Sequence, residues 1–122
     1  MASFDQTSVK RADDAVDLAR TKRNEIETQK QQASAEAQKK IDEAELARTV
    51  ASQEVSAAER TRNAKAIKNA KRKLSEAEAE VTRVTQAKAQ QELDFEAKLA
   101  EADTEIATAR SERTKVLKDY RN

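Results

Sequence analysis

Ala58-Glu59-Arg60-Thr61-Arg62-Asn63-Ala64-Lys65-Ala66-Ile67 is the stretch about which the chain mirrors itself. Moving outward from Asn63, apolar residues recur in steps of three and four in both directions. Toward the N-terminus they are Ala58, Val55, Ala51, Ala44, Ile41, Ala37, Ala33, Ile26, Ala19, Val16, Ala12 and Val9. Toward the C-terminus they are Ile67, Ala70, Leu74, Ala77, Val81, Val84, Phe95, Leu99, Ala102, Ile106, Ala109 and Val116. Polar residues fill the remaining seam places: Arg23, Lys30 and Arg48 in the first half, and Lys88, Glu92 and Arg113 in the second. Each position in one half has a counterpart in the other such that the two numbers sum to 125. Small residues mostly face large ones, as Ala58 faces Ile67, Ala51 faces Leu74 and Ala19 faces Ile106. Spacing of three and four is the pattern of a left-handed coiled coil, and mirrored spacing is that of two helices running antiparallel.

Composition points the same way. The 122 residues include no glycine and no proline, so nothing strongly interrupts a helix. Charged residues make up 39% and aromatic residues only 2%, too little bulk for a globular core. A polar chain of this kind could also be disordered, but a disordered chain carries no fixed apolar period. The sequence predicts an all-α, alanine-rich, long antiparallel two-helix coiled-coil hairpin over 1–122, with room to associate into a larger helical bundle. Helix 1 is expected over about 4–60, a turn over about 61–65 and helix 2 over about 66–120. Each arm would then be roughly 85 Å long at 1.5 Å per residue. Ser3 with Gln6 fits a capping box at the start, and Asn63 is the best available residue for a left-handed backbone in the turn.

Two irregular steps stand out. Ala33, Ala37 and Ile41 are spaced four and four, as are Val84, Lys88 and Glu92. Such stutters locally unwind a supercoil. Ala37 mirrors Lys88, so both fall in one layer of the hairpin. Lys30, Lys88 and Glu92 beside that layer are candidates for a register-setting polar network, because buried polar groups can fix helix alignment. Snorkelling of their stems along the seam is the plainer account. Among flanking charges, Asp13 with Arg110, Arg20 with Asp103, Lys22 with Glu105 and Glu54 with Lys73 are expected pairs. Leu18, Leu46, Val50, Leu93 and Leu117 lie off the seam and call for cover.

The chemistry of enzymes has little to work with here. There is no histidine and no cysteine, which removes nucleophile–histidine pairs, thiol sites and the usual zinc ligands. Without glycine there is no phosphate-binding loop. The acids of Glu76-Ala77-Glu78-Ala79-Glu80 spread around a helix instead of converging on a cation. The sequence therefore predicts no enzyme, no cofactor and no metal. No apolar run approaches the roughly 20 residues of a membrane span. The start Met1-Ala2-Ser3-Phe4 has no signal-peptide pattern, so a cytoplasmic chain, or one within a larger assembly, is expected.

One charge feature remains. Net charge is +1, yet Arg60, Arg62, Lys65, Lys68, Lys71, Arg72 and Lys73 make an uninterrupted basic run around the expected turn. This is a candidate docking tip for an acidic protein surface, phosphate or lipid headgroups. The absence of an aromatic residue near it argues against nucleic acid. Partners are expected to be another protein or further copies of the chain. The alanine-rich, charged hairpin resembles in composition the receptor-binding stalks of colicin-type bacteriocins, small flagellar and type III secretion stalk proteins, and coiled-coil components of phage particles. That likeness carries no motif and assigns no family. The expected function is a structural spacer, stalk or assembly adaptor with a basic tip. The alternative is a partner-binding hairpin of bacteriocin-receptor-domain or secretion and chaperone type.

Overall fold

The computed structural model describes the backbone of residues 2–121 and the side chains of residues 6–119. It is an all-α helical hairpin of two elements, α1 (Ala2–Thr61) and α2 (Ala64–Arg121). The Ser3–Gln6 capping box involves a side chain outside the described residues. Within the helices, threonine hydroxyls that would otherwise compete with the backbone donate to the carbonyl one turn back. Thr21 does so to Asp17, Thr49 to Glu45 and Thr104 to Ala100.

The break between the helices is only Arg62 and Asn63, narrower than the 61–65 expected from sequence. Its chemistry also differs. Asn63 does not take the left-handed conformation; Arg62 does, with φ of 57°. Asn63 is instead the N-cap of α2, its Oδ1 accepting from the amides of Lys65 (3.0 Å) and Ala66 (3.2 Å). An N-cap needs an extended backbone, so the reversal passes to the residue before it. The Arg62 amide then donates to the Glu59 carbonyl (3.2 Å), and the Asn63 amide donates to Thr61 Oγ1 (3.3 Å). The Thr61 hydroxyl donates in turn to the Ala58 carbonyl (2.6 Å), so part of each helix end is satisfied locally.

The hairpin divides into two compact units. One comprises Met1–Gln31 with Leu93–Asn122; the other is Gln32–Glu92. In the first, Val16, Ala19, Ala102 and Ile106 are buried. Phe95 is half-buried, with the Lys98 ammonium 5.1 Å from its ring centroid. In the second, Ile41, Ala44, Ala51, Ala70 and Val84 are buried, and Val81 packs on a cluster of Ile41, Ala44 and Val84. Ile41 with Val84 and Ala44 with Val81 are both mirror pairs of the sequence register. Among the described residues every buried one is a seam residue, and five of those nine are alanine. An alanine such as Ala44 or Ala51 is covered because the larger side chain opposite, Val81 or Leu74, lies over it.

Among the described residues four large apolar side chains remain open: Leu18, Leu46, Val50 and Leu93. Leu117, grouped with them from sequence, is half-buried and lies near Val9 and Asp13. No helix among the described residues is long and apolar enough to cross a membrane.

Candidate functional site

The polar seam residues divide by what faces them. Arg23 on α1 faces Ala102, and its Nε donates to Asp103 Oδ1 at 2.6 Å. Arg113 on α2 faces Ala12, and its Nε donates to Asp13 Oδ1. Lys88 on α2 faces Ala37, and its Nζ donates to Gln38 Oε1 at 2.7 Å. The rule is common to all three. A seam cation lies opposite an alanine, and its acceptor is the residue immediately after that alanine. The alanine leaves space for the long stem to cross the seam, and the next residue on the opposite helix stands at the rim where the charged head emerges.

The arginines of the seam thereby displace the flanking pairs that sequence suggested. Asp13 is held by Arg113 and not Arg110; Asp103 is held by Arg23 and not Arg20. A seam side chain starts nearer the opposite helix than a flanking one, so it reaches the same acid first. Arg23 also contacts Glu27 one turn along α1 at 3.2 Å. The Asp103 hydrogen bond, then its charge, raises the Arg23 guanidinium above its ordinary value. Lys22 and Glu105 border one shallow depression, and Glu54 and Lys73 another, without an ion pair among the described residues.

Of the expected polar layer, Lys88 and Glu92 approach to 4.0 Å, within one helix. Glu92 is exposed, whereas Gln91 is half-buried. The inward step after Lys88 is therefore three and not four, and the irregularity moves to Gln91, Phe95 and Leu99. Ser34, the mirror of Gln91, is half-buried as well, so this layer is polar on both helices. Lys30 is half-buried in the other unit, while Lys88 takes Gln38 as its cross-helix acceptor. The residues that sequence reasoning missed were thus Gln38 and Gln91. Gln38 follows an alanine opposite a seam cation, which was the available signal. Arg48 and Arg113 are exposed although their places belong to the seam. Arg48 faces Ala77, followed by Glu78, yet it has no ion pair among the described residues.

Around the turn, all seven cations of the basic run are exposed: Arg60, Arg62, Lys65, Lys68, Lys71, Arg72 and Lys73. None forms an ion pair among the described residues, in contrast to Arg23, Arg83, Lys88 and Arg113, each of which finds an acid. The first turn of α2 contains no acidic residue. At about 100° per residue, Lys65, Lys68, Lys71 and Arg72 fall within an arc of about 120°. The centre of that arc lies about 125° around the helix from Ile67, Ala70 and Leu74, the seam residues, with Lys71 at the edge nearest them. The next acids on α2 are Glu76, Glu78 and Glu80. Glu80 is engaged by Arg83, whose Nε donates to its Oε2 at 2.8 Å and whose Nη2 donates to Oε1, which holds the carboxyl below its ordinary range.

The depression bordered by Glu54 and Lys73 is an open groove of the second unit, lined by Leu46, Ala47 and Val50 of α1 and Ala77 of α2. Among the described residues no three acidic side chains converge as a metal site would require. Comparison with known protein families, curated proteins and solved structures finds no match to the chain.

Proposed function

We propose that the chain is a non-enzymatic structural coiled coil, acting as a spacer, stalk or assembly adaptor that presents a basic turn to its surroundings. The observation that carries this reading is the seam itself. Every buried apolar side chain among the described residues belongs to the seam between the two helices, and the polar bridges serve alignment. The chemistry left over is an exposed cluster of cations and a few open leucines, which suits contact and not turnover. A second reading, a hairpin that recognises one specific partner, is favoured by the seven exposed, unpaired cations around the turn.

A matched deletion separates the two. Residues 45–51 mirror residues 74–80, so removing both keeps the register. A spacer tolerates the loss and captures the same partners in a pull-down. A module that reads one surface along this part of the helices loses them. Substituting Arg62, Lys65, Lys68 and Arg72 with glutamine does the converse: a specific tip-directed binder loses its partner, and a plain spacer keeps it.

A further inference from the structure

The basic turn is finite and bordered, and its borders constrain what can meet it. Among residues 60–73 there are seven exposed cations, no acid, and no exposed large apolar side chain. Protein interfaces held by buried anchors use aromatic or aliphatic side chains in desolvated pockets, and none is offered here. A contact at this place would be ionic throughout. The cations are also unevenly divided. Five of the seven belong to the first three turns of α2, while the last turns of α1 carry Glu54 and Glu59 beside Arg60. Farther along α2, Glu76, Glu78 and Glu80 close the patch. A surface that is negative over a long distance, such as a nucleic-acid duplex or a sheet of acidic lipids, would meet these acids as well as the lysines. A short anion would meet the lysines alone.

We infer that the outward face of α2 formed by Lys65, Lys68, Lys71 and Arg72 docks a short acidic polypeptide segment of a partner protein. The four cations span about 10 Å along the helix axis, with neighbours three or four residues apart. A second helix with carboxylates at i, i+3 or i+4, and i+7 repeats that spacing, so each acid meets a cation without distortion of either backbone. The acids bordering the patch limit how long the segment can be. Lys65 lies in the first turn of α2, where the dipole disfavours positive charge, and an arriving carboxylate relieves that repulsion. This inference rests on the reading of the chain as an adaptor and names what its turn holds.

The test is titration of the whole chain with a fluorescent glutamate-rich peptide of about ten residues, followed by anisotropy. The same peptide with glutamine in place of glutamate, a DNA duplex, and vesicles of phosphatidylserine in phosphatidylcholine are measured beside it. The acidic peptide binds and its glutamine counterpart does not. Raising salt from about 50 to about 200 mM weakens binding several-fold. The variant K65Q/K68Q/K71Q/R72Q loses about tenfold or more in affinity, while K65R/K68R/K71R/R72K retains it. Melting curves confirm that both variants fold. Absence of peptide binding, equal binding by the glutamine variant, or tighter binding to duplex or vesicles overturns the inference. None of those results touches the spacer reading, which stands or falls on the matched deletion.

Discussion

Arg23 and Asp103 are joined across the hairpin by one hydrogen bond, Nε to Oδ1 at 2.6 Å, and their numbers sum to 126. So do those of Arg113 and Asp13, and of Lys88 and Gln38. The apolar layers sum to 125. Each cross-helix bridge is therefore offset by one residue from the layer it crosses, in the same sense whichever helix supplies the cation. Two of the three lie in one unit with the roles of α1 and α2 exchanged. A slip by one heptad on one helix would break all three at once, which makes them register markers.

The charge pair should behave as a unit. Arg23→Asp alone and Asp103→Arg alone should each lower the melting temperature. The exchange R23D/D103R should recover part of the loss, because the attraction is restored with its direction reversed. Added salt should shrink the recovery. No recovery in the double variant would mean that Arg23 contributes through its stem packed on Ala102 and not through its charge.

Burial ranks the aliphatic layers. Ile41→Ala should cost roughly 2–4 kcal/mol, since Ile41 is 8% exposed and touches Ala44 and Val84. Ile26→Ala, at a half-buried place, should cost less. Leu46→Ala should change stability by no more than about 0.5 kcal/mol, as Leu46 is 65% exposed. Chemical denaturation of the three variants decides the order.

The turn offers a test of backbone conformation. Asn63→Ala should cost about 1 kcal/mol by uncapping the Lys65 and Ala66 amides. Arg62→Gly should be neutral or slightly stabilising, because glycine adopts φ of 57° without a Cβ penalty but loses more chain entropy. Arg62→Val should be clearly destabilising. Equal melting temperatures for the Gly and Val variants would contradict the left-handed assignment.

Glu80 supplies the pH dependence. Its carboxyl is held below the ordinary value by the Arg83 hydrogen bonds. A depressed carboxylate contributes stability above its unfolded value, about 4.3, and loses it as pH falls through the folded value. In an NMR titration the Glu80 midpoint should move up in the Arg83→Gln variant. An unchanged midpoint would show that the pair does not persist in solution.

Cysteines at Ala44 and Val81, which meet in one cluster, should oxidise within a single chain at low protein concentration. Crosslinks formed only between chains would indicate exchange of helices between copies.

The sequence by itself determined the hairpin, the antiparallel sense and nearly the whole seam. Helix period and mirror spacing are properties of the residue order: Ala19, Ile41, Ala51, Val84 and Ile106 are buried because the three-and-four pattern turns them to one side. The basic run around Asn63 was equally legible, since it needs only counting. Three-dimensional packing decided the polar detail. Asn63 and Arg62 were both available to the turn, and which one caps and which one reverses depends on amides that only a formed α2 presents. Glu92 and Gln91 stand one residue apart, and the choice between them rests on about 100° of helix rotation that a stutter leaves open in the linear pattern. Arg23 took Asp103 from Arg20, and Arg113 took Asp13 from Arg110, because a long side chain's partner is set by how closely the backbones approach. That distance is fixed by the alanines opposite, and it exists only once the two helices have met.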